Sequence, residues 1–197
     1  MTSLKDLVDE TGKFDFQALK KFAREHDQKT FLSVMPDWIL VGSGLHRGWN
    51  LPVEEGGGNV AGTVMFQPEQ RKQEPTRLKI LEHSVFPLVP WKSGFNEYRK
   101  KNIVTIIMGR SVKCDIVLAE PSISAEHAEF RLDVGDGTLS PACFVRDMGS
   151  SNGVFVNGSR LAPFWTKNVA AGDEIRFSRF SVILDLPVNL HNKLKYG

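Results

Sequence analysis

Three short stretches in the second half of the chain carry residues that could do chemistry together. They are Gly109-Arg110, then Ser124 placed three residues before His127, then Gly149-Ser150-Ser151-Asn152-Gly153. Arg110 offers a planar, permanently charged fork that matches the oxygens of a phosphate. Ser124 and Ser151 add short hydroxyls, and Asn152 adds an amide that both donates and accepts. A phosphorylated side chain brings roughly −1.5 to −2 charges and three strong acceptor oxygens. One fixed cation, two hydroxyls and an amide on loops suit such a group held at a surface, not a bond being broken.

A hydrolase reading competes for the same residues. Gly149 to Gly153 also fits G-x-S-x-G, and Asp185 and His191 follow in the order a nucleophile elbow would need. That elbow requires a helix directly after the serine. Here Val154-Phe155-Val156-Asn157-Gly158 is β-branched, aromatic and turn-terminated, so the helix is missing. No H-E-x-x-H, paired-cysteine motif or Walker lysine is present. The expectation is a chain with no catalytic residues, no metal and no cofactor.

The elements that must position the loops read as strands. Residues 103–108 and 115–118 are apolar runs of strand length. Ala128, Phe130 and Leu132 alternate with Glu129, Arg131 and Asp133, the period of a half-buried strand. Residues 143–147, 154–156 and 175–177 continue the series. Phe180, Val182, Leu184 and Leu186 then alternate with Ser181, Ile183 and Asp185. Asp136-Gly137 and Asn157-Gly158 are hairpin signals. Many short strands without intervening helices predict a β-sandwich.

The first 80 residues read differently. Ser3-Leu4-Lys5-Asp6 resembles a capping box before Leu7 and Val8, and Asp15 can cap a helix with Phe16, Leu19, Phe22 and Ala23 on one face. Residues 38–41 read as a short strand ending at a Gly42-Ser43-Gly44 turn. Residues 54–59 read as a glycine-rich turn, 60–66 as one more strand, and 67–75 as a polar connector. Trp38, Trp49 and several aliphatics predict a folded, docked segment. The expected organisation is therefore a helical or mixed extension over 1–80, a sandwich over 81–190 and a tail over 191–197.

Composition sets further bounds. With 41% hydrophobic and 24% charged residues, a packed core and an ordinary surface are both available. A net charge of +2 is too small for a general nucleic-acid binder. No apolar run approaches membrane-spanning length and no signal pattern opens the chain. Cys114 and Cys143 could pair, but free thiols in a reducing cytoplasm are the expectation. A soluble, cytoplasmic protein with no nucleic-acid or membrane partner follows.

Taken in order, the motifs resemble a forkhead-associated (FHA) domain, a reader of phosphothreonine peptides. The similarity runs from about Leu81 to Leu186. Residues 109–118 are similar to the family's second and third strands with their loop, residues 121–128 to the next loop, and residues 172–177 to its late G-D-x-I strand entry. The resemblance implies a mainly β fold, an FHA-like sandwich of two antiparallel-rich sheets behind the small N-terminal extension. It implies that Arg110 and Ser124 contact phosphate, that Ser151 fills an adjacent Ser/Thr position, and that Asn152 bonds the peptide backbone. It implies a bracing role for His127, with Gly109, Gly153, Asn157 and Gly158 shaping the loops.

Lys113 is a candidate auxiliary, and so is Ala125. Ala125 and Glu126 stand where many members carry asparagine, arginine or lysine, and Glu126 places negative charge near the phosphate. Lys113 and the run Arg99-Lys100-Lys101 could offset it. The implied function is a phosphothreonine-reading signalling adaptor; a phosphate-independent interaction or scaffolding module on the same fold is the alternative. The implied partner is a Thr-phosphorylated protein or peptide, with a Ser/Thr kinase or its substrate as candidates. The layout also resembles bacterial FHA proteins linked to Ser/Thr-kinase signalling.

Overall fold

The computed structural model describes residues 2–48, 80–92, 101–133 and 141–196. The sequence readings at Trp49, residues 54–59, 60–66 and 67–75, Arg99-Lys100 and Asp136-Gly137 lie outside the described residues. Within them, eleven strands form two sheets. One has six strands: β1 (Ile39–Gly42), β2 (Val85–Pro87), β7 (Val154–Val156), β8 (Ser159–Arg160), β10 (Glu174–Phe177) and β11 (Phe180–Asp185). Its order is β2-β1-β11-β10-β7-β8. The other, in the order β4-β3-β5-β6-β9, has five: β3 (Ile103–Gly109), β4 (Ile116–Val117), β5 (Ala128–Asp133), β6 (Ala142–Asp147) and β9 (Thr166–Val169). Pairing is antiparallel in both sheets except for the parallel β3–β4 contact. This is a mainly β, two-sheet fold with a few N-terminal helices.

The inner faces carry the core, as period-two alternation requires. Ala128, Phe130 and Leu132 are buried while Arg131 is exposed. Phe130 of the five-stranded sheet meets Phe177 of the six-stranded sheet edge-on, 6.1 Å between ring centres. Phe86 and Phe180 make a similar contact at 6.2 Å.

The N-terminal segment is part of this body. Asp15 caps α1 (Phe16–Glu25), its Oδ1 accepting the N–H groups of Gln17 and Ala18, and Leu19, Phe22 and Ala23 are buried. The Ser3–Asp6 pairing opens only a single 3₁₀ turn, Leu4–Leu7, since four residues are too few for an α-helix to propagate. Strand β1 lies between β2 and β11, and the Trp38 indole donates to the Pro141 carbonyl at 2.8 Å. Residues 8–14 form a small hairpin against the β4 edge. There Val117 donates its N–H to the Thr11 carbonyl at 2.8 Å, so that the edge does not stand open.

Three helices differ from the sequence reading. α2 (Gln28–Val34), capped by Asp27 and burying Phe31, was not anticipated. The Gly42-Ser43-Gly44 turn is instead the start of a short helix, α3 (Ser43–Gly48), packed on β1 and β11. The expected tail is the second half of α4 (Pro187–Tyr196), which buries Leu190, His191 and Leu194 against α1 and α2. α3 packs on β11, and Asn189 and Lys193 of α4 reach Asp185, so Ser181 and Asp185 are buried where alternation alone would expose them.

Candidate functional site

Strand ends of the five-stranded sheet bring the expected loops together. β3 ends at Gly109-Arg110, β5 begins just after His127, and β6 ends just before Met148. Because β3, β5 and β6 are consecutive in that sheet, their loops share one rim. The loops are bonded to each other. Ser151 donates its backbone N–H to Ser124 Oγ at 3.1 Å, and Asn152 Nδ2 donates to the Ser122 carbonyl at 2.8 Å. Arg110 donates its own N–H to the Ser124 carbonyl at 2.9 Å and its Nε–H to the Ile123 carbonyl at 3.1 Å. Those bonds orient the guanidinium while the side chain remains exposed. Arg110, Ser124, Ser151 and Asn152 therefore occupy one patch of surface.

The residues behind the patch hold it in shape. At Gly109 a Cβ would fall 2.3 Å from the Ala125 carbonyl oxygen, so the two backbones approach too closely for a side chain. His127 is fully buried. Its Nδ1 accepts the Ser124 N–H at 3.0 Å, which places the proton on Nε2, facing the Gly153 carbonyl at 3.2 Å. Burial holds its pKa below the ordinary histidine value, opposed by the Gly153 carbonyl and the nearby Asp147 charge.

Gly153 adopts φ +83°, a region open to glycine. Asn157-Gly158 joins β7 to β8 with φ of 50° and 78°. That is the two-residue hairpin turn in which both central residues take positive φ. Asn157 reaches away from the patch, donating to Asp173 Oδ1 at 2.8 Å and accepting the Glu174 N–H at 2.9 Å. Lys113, Ala125 and Glu126 are exposed in the first two loops.

Sequence reasoning missed a second layer under the Ser122–Ser124 loop. Glu120 is 2% exposed and accepts both Nε and a terminal nitrogen of Arg179, at 3.1 and 2.5 Å. The same carboxylate accepts the Ser122 N–H at 2.8 Å and the Ser122 hydroxyl. Ser178 Oγ donates to Ser122 Oγ at 2.8 Å. Burial alone would raise the Glu120 carboxyl; the Ser122 and Arg179 hydrogen bonds and the Arg179 charge outweigh it and hold the pKa below the usual value. The sequence signal was an acidic residue two before a serine in a loop, an ordinary turn pattern.

The hydrolase arrangement is absent. His191 packs against Phe31 with the rings tilted, 4.9 Å between centres, and its ring nitrogens have no hydrogen-bond partner, so it engages neither Asp185 nor Ser151. The strand β7, not a helix, follows Ser151. Cys114 and Cys143 are both free and buried, and burial pushes the Cys143 thiol up to about 12. Among the described residues no cluster of metal-ligating side chains occurs, and no helix is long and apolar enough to cross a membrane.

A two-sheet body presenting a cation, two hydroxyls and an amide from three adjacent loops defines a binding module. Residues 106–178 match the family model of the FHA domain. The chain is 35% identical over 117 residues to the DNA damage response protein kinase DUN1 of Saccharomyces cerevisiae, covering 58% of this chain and 22% of the kinase. It is also 35% identical over 79 residues to the glycogen accumulation regulator GarA of Mycolicibacterium smegmatis, covering 40% of this chain and 44% of that protein. The chain thus spans less than half the length of either curated relative. A solved structure of the MEK1 FHA domain with a HOP1 phosphothreonine peptide is similar over 52% of this chain and 87% of its own, with 28% identity and a TM-score of 0.41.

Proposed function

We propose that this chain reads Thr-phosphorylated proteins, binding a phosphothreonine peptide without acting on it. In this reading Arg110 and the Ser124 hydroxyl take the phosphate, and Ser151 lines its other side. Asn152 spends one amide N–H on Ser122, which leaves its carbonyl and second N–H for the backbone of the ligand. His127, Gly109, Gly153, Asn157 and Gly158 support the loops, and Lys113 adds positive charge at the edge. The observation that carries the reading is the 3.1 Å bond from Ser151 to Ser124, which joins two loops 27 residues apart beside Arg110.

Two or three charge-assisted bonds of about 1.5–3 kcal/mol each, less the ordering of a short peptide, correspond to roughly micromolar affinity. A Ser/Thr kinase or one of its substrates is the proposed partner. The cytoplasm is the proposed location, in keeping with two unpaired thiols. The described N-terminal residues, 2–48, are proposed to act as an extension built into the sandwich through β1.

Isothermal calorimetry with a phosphothreonine peptide library tests this. Micromolar binding that is lost in Arg110→Ala and on dephosphorylation supports it; no heat and no competition by any library member rejects it. Exposed Glu126 beside the site favours a second reading, a phosphate-independent interaction module. A partner that still binds after phosphatase treatment would decide for that alternative.

A further inference from the structure

We infer that the outer face of the six-stranded sheet docks a short acidic segment of a partner protein on Arg160 and Arg176. The segment is unphosphorylated and extended, with carboxylates at alternate positions. This surface is separate from the phosphate patch and stands whether or not the chain reads phosphothreonine.

Strand register builds the surface. Phe155 of β7 lies opposite Arg160 of β8 on one side and opposite Arg176 of β10 on the other. Val154, Val156, Ile175 and Phe177 are buried, so alternation turns Phe155 and Arg176 to the outer face. α3 packs on β1 and β11, in the other half of this sheet. The row across β8, β7 and β10 reaches solvent: Arg160 is exposed, and Phe155 and Arg176 are half-buried.

The chemistry of the row is that of a prepared anion site. The Arg176 guanidinium carbon stands 3.6 Å from the centre of the Phe155 ring, and that of Arg160 stands 5.9 Å from the same centre. Arg176 spends Nη1 on the Ser178 carbonyl. That leaves Nε and Nη2, the edge of the fork that grips a carboxylate with two parallel bonds. Among the described residues no carboxylate lies within ion-pair distance of Arg160 or Arg176. Arg179, by contrast, is already paired with Glu120. Two like charges therefore share one ring with no counter-charge, and an anion between them relieves their repulsion. A guanidinium already ordered on an aromatic face also loses little freedom when it binds.

Spacing and charge favour a short protein segment. From their distances to the shared ring, the two guanidinium carbons are less than about 10 Å apart. Alternate side chains of an extended segment, about 6.6–6.8 Å apart, can reach both. A continuous polyanion such as a nucleic-acid backbone fits less well. Glu174 lies on the same face of β10, two residues before Arg176, and would repel it, and the net charge of the chain is only +2.

The test uses a short fluorescent peptide of alternating glutamate and serine, and its counterpart with glutamine for glutamate. At low salt the glutamate peptide should bind roughly ten-fold more tightly, as two charge-assisted pairs would give. In Arg176→Gln, and separately in Arg160→Gln, that preference should fall toward one. Arg176→Lys should keep part of it, because the charge stays while the fork is lost. Arg160→Gln, on the exposed edge strand, carries the readout if Arg176→Gln does not fold. In Arg110→Ala the preference should persist. Equal binding of the two peptides overturns the inference, as does an undiminished preference in both glutamine variants. Loss of the preference in Arg110→Ala overturns it too, since the acidic peptide then occupies the phosphate patch. Tighter binding of single-stranded DNA at the same arginines would overturn it in favour of a nucleic-acid partner. If the glutamate preference holds while no phosphothreonine peptide binds, the proposed function falls and this surface remains.

Discussion

His127 accepts the backbone N–H of Ser124 on Nδ1 at 3.0 Å from a position with no solvent exposure. In the proposed reading, the Ser124 hydroxyl that faces the ligand is thus aimed by a ring buried behind it. With Nε2 turned to the Gly153 carbonyl, one imidazole ties the second loop to the third. Removing it leaves the part-buried Ser124 N–H without that partner, leaves the Gly153 carbonyl with the Ser178 N–H alone, and opens a cavity besides. His127→Ala should cost about 3–5 kcal/mol of stability, measurable by urea denaturation. Its loss of peptide affinity should persist below the melting range, because Ser124 is no longer held. An unchanged denaturation midpoint would contradict this account.

The same residue predicts an acid sensitivity. Burial depresses the folded-state pKa of His127, so the unfolded chain binds a proton at a higher pH than the folded one. Stability rises with pH wherever the unfolded state holds more protons. His127 therefore contributes fully above its ordinary value near 6.5, and its contribution is lost as the pH falls from there toward the folded value. Denaturation midpoints between pH 7.5 and 5.5 should decline, and the decline should be shallower in His127→Asn. Peptide binding is a poorer readout, since the ligand phosphate itself titrates at about pH 6.

The strands were legible where one face is buried and the other wet. Ala128, Phe130 and Leu132 show it, and β5 lies where the alternation put it. The loop residues were legible because arginine, serine and asparagine hold ordered spacings between such strands. Elements whose stability comes from packing partners distant in sequence were not. α4 rests on Leu190 and Leu194 against helices formed more than 150 residues earlier, and Gln28 bonds Asn192 across a separation of 164. The Glu120–Arg179 pair closes over a separation of 59 residues and leaves no local trace. The positive φ of Phe164 is likewise set by Asp147 and Arg146, not by its neighbours in the chain.

Gly109 offers a test of the loop approach that leaves every polar group in place. A methyl group there must push the Ala125 carbonyl away from a separation of 2.3 Å, and backbone cannot yield as a side-chain tip does. Ser111 also bonds that carbonyl, so displacement would spread to the Arg110 segment. Gly109→Ala should destabilise by about 1–3 kcal/mol, the usual cost of overpacking, and weaken phosphopeptide binding several-fold. Gly158→Ala is a useful contrast. There the added carbon meets nothing within 4 Å, so the strain of its φ of 78° should lower stability while affinity holds.

Glu120 and Arg179 predict a positioning effect at a distance from the phosphate. The carboxylate is almost wholly buried and organises Ser122, whose carbonyl in turn holds the Asn152 amide. Glu120→Gln keeps the volume but removes the charge that pairs with Arg179. Because Arg179 is 40% exposed, its side of the pair is partly screened, so a loss of about 1–3 kcal/mol is expected, not the larger cost of a fully buried pair. The depressed Glu120 pKa means this contribution is present above the ordinary carboxylate value and fades as the pH falls below it. Arg179→Gln should reproduce the stability loss only in part, since Ser122 keeps its bonds to Glu120. In both variants the affinity for a phosphothreonine peptide should fall less than in Arg110→Ala, with the salt dependence of binding unchanged. A Glu120→Gln protein with unaltered stability and unaltered affinity would show that the Ser122 loop holds its shape without the ion pair.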